Sequence, residues 1–162
     1  MRSPLLACAM SVLVLTAASL SAQGRQAAPP SSPPPSATAV AATDIAVTVT
    51  YTGKGAVDAA HSIVVFAFNE PNPGPQSRPL GSGPVIATKN GQTVTLRGVA
   101  AQSVYIVAVY NEKVPYDGLG GPPSAGTPIG TYSKDGKTPT AVAPGSKTPV
   151  TMTFTDAKRF GQ

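Results

Sequence analysis

Ile45-Ala46-Val47-Thr48-Val49-Thr50-Tyr51 alternates bulky apolar residues with small or polar ones without a break. A period of two sends every second side chain to the same face of an extended chain, so this stretch reads as a half-buried strand. The same period returns at Val150-Thr151-Met152-Thr153-Phe154-Thr155 and closes the folded part. Between these two, Ile63-Val64-Val65-Phe66-Ala67-Phe68 and Val104-Tyr105-Ile106-Val107-Ala108-Val109-Tyr110 are apolar throughout, as central strands covered on both faces are. Val85-Ile86-Ala87-Thr88 and Thr93-Val94-Thr95-Leu96 flank Lys89-Asn90-Gly91-Gln92. Asn-Gly tolerates the positive φ of a type I′ turn, so this segment reads as a hairpin. Pro128-Ile129-Gly130-Thr131-Tyr132 is a weaker strand, and its proline and glycine suit an edge. Ala56 to His61 has room for one helical turn and no more. Seven short strands with turn residues between them predict a single all-β domain over 44–156, an antiparallel β-sandwich.

The chain ahead of this domain is of a different kind. Leu5 to Leu15 is almost wholly apolar and follows Arg2, and Ala17-Ala18-Ser19-Leu20-Ser21-Ala22 supplies small residues behind it. The run is long enough for a secretory leader and shorter than the roughly 20 residues that span a bilayer. Residues 1–22 are therefore read as a signal peptide cleaved after Ala22, with Ser19 or Ser21 as other cleavage points. Cys8 lies inside the apolar run with most of that run behind it, whereas an acylated cysteine follows the run, so a lipid anchor at Cys8 is not expected. Without the leader the chain has no cysteine, hence no disulfide, no thiolate metal site and no thiol nucleophile. Residues 23–43, with Pro29, Pro30, Pro33, Pro34 and Pro35 among alanine, serine and threonine, lack the apolar bulk to offset ordering entropy and read as a disordered linker. Residues 157–162 read as a C-terminal tail. Together these features predict an exported protein, periplasmic or extracellular, with no transmembrane segment in the mature chain.

Little in the composition points to chemistry. The formal charge of +5 falls to +4 once Arg2 leaves, and the basic residues are scattered, with Lys158-Arg159 the one adjacent pair. Nucleic-acid binding calls for a clustered basic stripe or a recognisable module, so it is not expected. His61 is the one histidine, and no Gly-x-Ser-x-Gly elbow accompanies it. A metal site on Asp58 and His61 needs further ligands from elsewhere. Gly118, Gly120 and Gly121 precede Pro122-Pro123 and lack the Lys-Ser/Thr ending of a phosphate loop. Three long connections remain, 70–83, 111–127 and 133–148, and long loops on a compact scaffold are either binding loops or disordered. Asn111, Glu112 and Asp117 are candidate calcium ligands in the second of these, although Lys113 and Pro115 break the spacing of an EF-hand loop. There is no tryptophan to stack a sugar, and Tyr116 and Tyr132 are the aromatic residues in or beside loops. Tyr116, Asp117 and Tyr132 are therefore the candidate ligand contacts. Tyr51, Tyr105, Phe66 and Phe68 read as core.

Val94-x-Leu96-x-Gly98-Val99, a short link, and Val104-Tyr105-x-Val107-x-Val109 resemble the transthyretin-like, or prealbumin-like, sandwich modules, which include the carboxypeptidase regulatory-like domains and the B-type repeats of bacterial surface adhesins. The likeness covers Thr93 to Tyr110. It implies an accessory module of a cell surface or periplasm, and an immunoglobulin-like sandwich is the other form the strand pattern allows. Some adhesin repeats of this kind join a lysine of the first strand to an asparagine of the last. Ile45 to Tyr51 has no lysine and Val150 to Thr155 no asparagine, so no such crosslink is expected. The sequence thus predicts a non-catalytic module with a structural or protein-binding role and no required cofactor. The alternative is a carbohydrate- or calcium-dependent binding module that uses the 111–127 and 70–83 loops. A hydrolase is the least supported class.

Overall fold

The computed structural model describes residues 43–113 and 115–162. The leader expected over 1–22 and the linker up to residue 42 lie outside these residues. Thr43, assigned to the linker from the sequence, already belongs to the first strand. The elements are β1 (Thr43–Tyr51), β2 (Ile63–Phe68), β3 (Val85–Ala87), β4 (Gln92–Val99), β5 (Tyr105–Tyr110), β6 (Ile129–Thr131) and β7 (Val150–Phe154). No helix occurs among the described residues, so none is long and apolar enough to cross a membrane. The turn considered over 56–61 is a bend pinned by Asp58, whose Oδ1 accepts the backbone N–H groups of Ala60 and His61, both at 2.8 Å.

The strands form two sheets, β4-β1-β7 and β3-β2-β5-β6. The alternation read from the sequence sorts the side chains of β1 as expected. Ile45, Val47, Val49 and Tyr51 are buried, while the residues between them face outward. On that outer face the Thr48 and Thr93 hydroxyls meet at 2.7 Å across the β1–β4 pair. β7 repeats the pattern, with Val150, Met152 and Phe154 buried and Thr151 and Thr153 exposed. These residues meet Ile63, Val65, Ala67, Ile106, Ala108 and Tyr110 of the other sheet in one apolar core. Burying each large aliphatic side chain there contributes roughly 1.5–3 kcal/mol.

Two features differ from the sequence reading. The sandwich is not wholly antiparallel, because β7 runs parallel to β1, from Val47 beside Val150 to Tyr51 beside Phe154. Parallel neighbours need a long crossover, and here the five strands between β1 and β7 supply it. The second difference is the Asn-Gly segment. β3 pairs with β2 and β4 with β1, so the chain changes sheet at Lys89–Gln92 and forms a corner between sheets. A turn does stand at Asn90-Gly91, with Gly91 at φ 73° and the Gln92 N–H directed at the Lys89 carbonyl. What it connects is decided by Asn90. Its side-chain amide accepts from the Tyr51 N–H and donates to the Tyr51 carbonyl, both at 2.8 Å, standing in for one more residue of a strand beside β1. That contact spans 39 residues and was invisible to a local reading.

Candidate functional site

The four-stranded sheet is apolar on both faces. Val64, Phe66, Phe68, Val107 and Val109 point away from the sandwich interior and form a second buried cluster, joined by Tyr116 and Ile129. Among the described residues no third sheet covers them. The cover consists of loop 70–83, the loop that follows β5, and the C-terminal residues, which together enclose a basin of about 600 Å³. Phe66, Phe68, Val107, Val109 and Ile129 make its floor.

Each wall is fixed by its own bonds. In the first loop the Ser77 hydroxyl donates to Glu70 and accepts the Gly74 N–H, and the Leu80 N–H returns to the Ala67 carbonyl at 2.8 Å. In the second, the Tyr116 hydroxyl donates to the Gly121 carbonyl at 2.7 Å, and the Asn111 amide donates to the Tyr116 carbonyl at 2.9 Å. The Tyr116 ring lies 6.1 Å from that of Phe66 at 40°. Burial, with the Asp117 carboxylate adding to it, pushes the Tyr116 phenol up. Gly118, at φ 82°, lets the backbone rest on the Phe66 ring, since a Cβ there would sit 2.6 Å from a ring carbon. The third wall is the segment read as a tail. It is tied to the approach to β6 by the Ile129 N–H to the Lys158 carbonyl, the Gly126 N–H to the Phe160 carbonyl and the Phe160 N–H to the Thr127 carbonyl, at 2.8–3.0 Å.

Charge is distributed unevenly around the basin. Arg78, Lys158 and Arg159 line it, and among the described residues no Asp or Glu does. Arg159 is committed, donating to Glu112 at 2.8 Å and to the Gly126 carbonyl at 2.6 Å. Among the described residues Arg78 and Lys158 have no carboxylate within salt-bridge distance.

The residues singled out from the sequence separate. Tyr116 lines the basin. Tyr132 packs against the interior core, on the opposite face of the sheet, so the two tyrosines do not share a site. Asp117 is an exposed turn residue whose Oδ1 accepts the Leu119 N–H at 2.9 Å. Asn111 is buried and donates to the Ser62 hydroxyl and the Tyr116 carbonyl, and its Oδ1 has no partner among the described residues. Glu112 faces Arg159. Among the described residues no three His, Cys, Asp or Glu side chains gather where they could hold a metal. The His61 ring meets Asp58 at 3.1 Å in an exposed turn.

A second polar group sits where the C-terminal segment leaves the sandwich. Tyr51 and Tyr110 stack at 4.0 Å. Asp156 accepts the Tyr51 hydroxyl and, at 2.9 Å, the Lys54 N–H, and Arg159 lies 4.0 Å away. Burial first, then the bond to Asp156, pushes the Tyr51 phenol well above its usual range. The Lys54 N–H first, then Tyr51, hold the Asp156 carboxyl below its own. Both shifts move away from neutrality, the reverse of the tuning that a general acid or base needs. This group is a clasp between the C-terminal segment and the sandwich.

Sequence reading missed the floor and the third wall of the basin. Phe66, Phe68, Val107 and Val109 were read as core because their strands are apolar on both sides. The signal was present all the same. An all-β chain whose central strands are apolar on both faces must cover the second face with something, and only the loops and termini remain. Comparison of the chain with protein-family models, with curated proteins and with solved structures finds no match in any of the three.

Proposed function

We propose that the chain is an exported, non-catalytic binding module, and that it binds in the basin over the four-stranded sheet. One observation carries this reading: an apolar sheet face is covered by loops that leave a cavity of about 600 Å³. That size falls within the 300–1,000 Å³ typical of ligand sites, and the lining matches their usual make-up of apolar and aromatic walls with a few polar groups. Two of the three walls are the loops that the sequence marked as the working surface. Export rests on the apolar run from Leu5 to Leu15 and the small residues behind it. Kinship with prealbumin-like modules of cell surfaces is part of the proposal. A crosslink between first and last strands, as some of those modules carry, requires the two to be neighbours, and β1 and β7 are neighbours here.

The test is a titration of methyl-labelled protein with alkyl, hexose and short peptide probes, followed by NMR. Shifts should gather on the methyls of Val107, Val109 and Ile129 for at least one probe class. Shifts confined to Met152 and Val150, or to the outer edges of β4 and β7, would overturn the assignment.

A further inference from the structure

We propose that the basin takes a free single-chain amphiphile with an anionic headgroup, of the long-chain carboxylate type, with its alkyl tail on the floor and its head at Arg78 and Lys158. This rests on the basin being the binding surface. The floor offers only apolar contact. β2 lies between β3 and β5, and β5 between β2 and β6, while the outer edge of β6, whose Ile129 completes the floor, is met by the C-terminal segment through the Ile129 N–H to the Lys158 carbonyl. Strand addition, one recurring way for a sheet to hold an extended peptide, is therefore closed at β2 and β5 and obstructed at β6 by the C-terminal segment. A ligand here must be held by apolar contact and by whatever the rim supplies.

The rim supplies positive charge. Arg78 and Lys158 come from two different walls and both line the basin. Of the acids near the basin, Glu112 is paired with Arg159, Glu70 accepts the Ser77 hydroxyl and Asp117 accepts the Leu119 N–H, and none of them lies within salt-bridge distance of Arg78 or Lys158. Two cations outside any salt bridge, beside an apolar floor, complement a molecule with one charged end and one long apolar end. They repel an alkyl ammonium, and they give no advantage to a neutral alcohol. Leu119 points the same way. It lines the basin yet is 77% exposed, a large apolar side chain held at the opening where an alkyl tail would cover it.

The experiment is calorimetric titration of the full-length chain with dodecanoate, dodecanol and dodecyltrimethylammonium, each below its aggregation point. Dodecanoate should bind at least tenfold more tightly than either of the others. Each two-carbon extension of the carboxylate should tighten binding by about tenfold until the chain outgrows the basin. R78Q/K158Q should abolish the preference and leave dodecanol binding unchanged, and both positions are exposed, so the fold should persist. L119S, also at an exposed position, should weaken binding of dodecanoate and dodecanol alike. Equal affinity for dodecanoate and dodecanol overturns the anionic class while the basin remains the binding surface. A preference that survives R78Q/K158Q overturns the headgroup site. Binding to anionic phospholipid vesicles without binding to monomeric dodecanoate overturns the free amphiphile in favour of a membrane surface. Silence with every alkyl probe overturns the ligand class altogether, and the methyl titration with hexose and peptide probes then decides the broader reading on its own.

Discussion

The two faces of the β3-β2-β5-β6 sheet are made from alternate residues of the same strands, yet they have different fates. Ile106, Ala108 and Tyr110 of β5 point inward and are closed over by the second sheet, while Val107 and Val109 point outward and are covered by loops. Both sets are apolar, so hydrophobicity does not distinguish them. The cover does. A facing sheet presents a continuous layer of side chains that interdigitate to near-crystalline density. Loops rich in glycine and proline have few side chains to offer and must keep much of their own backbone in water. A basin is what remains when such segments cover a face too apolar to leave open.

The sharpest way to break this contrast is at two consecutive residues. Ile106→Ala empties a fully buried position in the sealed core and should cost about 3–4 kcal/mol. Val107→Ala, one residue on, removes apolar surface from the floor of a basin that water can enter, and should cost about 1 kcal/mol. Urea unfolding of both variants measures the difference. Equal losses would mean that the outer face is as tightly closed as the inner one.

The second test removes a wall. Ending the chain at Ala157 deletes three backbone hydrogen bonds to the β6 approach and the Arg159 contacts with Glu112 and Gly126. At roughly 0.5–1.5 kcal/mol for each bond, the loss should be about 2–3 kcal/mol. Amides of residues 126–129 should lose protection from hydrogen exchange, and those of β1 should keep theirs. Uniform loss across both sheets would make the segment part of the core and not a cover. A smaller effect is expected from Gly118→Ala. A Cβ at φ 82° and against the Phe66 ring should cost about 1–2 kcal/mol, and it should alter ligand binding through displacement of that ring.

The inner face was legible in the sequence and the outer face only partly so, for a reason that lies in the range of the interactions. Alternation at Ile45–Tyr51 and Val150–Phe154 is a local pattern, and all seven strands follow from such patterns. Which strands pair is not local. The Asn90-Gly91 turn has hairpin chemistry, yet the Asn90 amide is taken up by the end of β1, and the two flanking strands enter different sheets. The parallel β1–β7 pair likewise brings together the two ends of the domain. Of the candidate site, the 70–83 loop was found because long loops on a compact scaffold suggest binding, and Tyr116 because an aromatic residue in a loop suggests recognition. Tyr132 failed because one further residue along β6 turns a side chain to the other face, a difference set by register. Lys158 and Phe160 were missed because a short polar terminus gives no sign of being tied down until its backbone partners are known.

The phenols offer the last and gentlest probe of the two faces. Tyr51 and Tyr110 lie in the interior core and Tyr116 on the outer face, and all three are raised above the usual phenol range by burial. The shift is large at Tyr51, where Asp156 adds a hydrogen bond and a negative charge. A phenol whose folded pKa exceeds its unfolded value adds stability that is complete below about pH 10 and is lost as pH rises through the folded value. The domain should therefore hold its stability from neutrality to about pH 10 and lose it above. In an alkaline titration followed by phenolate absorbance, Tyr116 should ionise while the fold is intact, and Tyr51 only together with unfolding. Tyr116→Phe should remove an early component and leave the alkaline unfolding midpoint in place, whereas Tyr51→Phe should move that midpoint. If Tyr51 and Tyr116 ionise in one step ahead of unfolding, solvent reaches the interior as readily as the basin, and the two faces differ in position but not in closure.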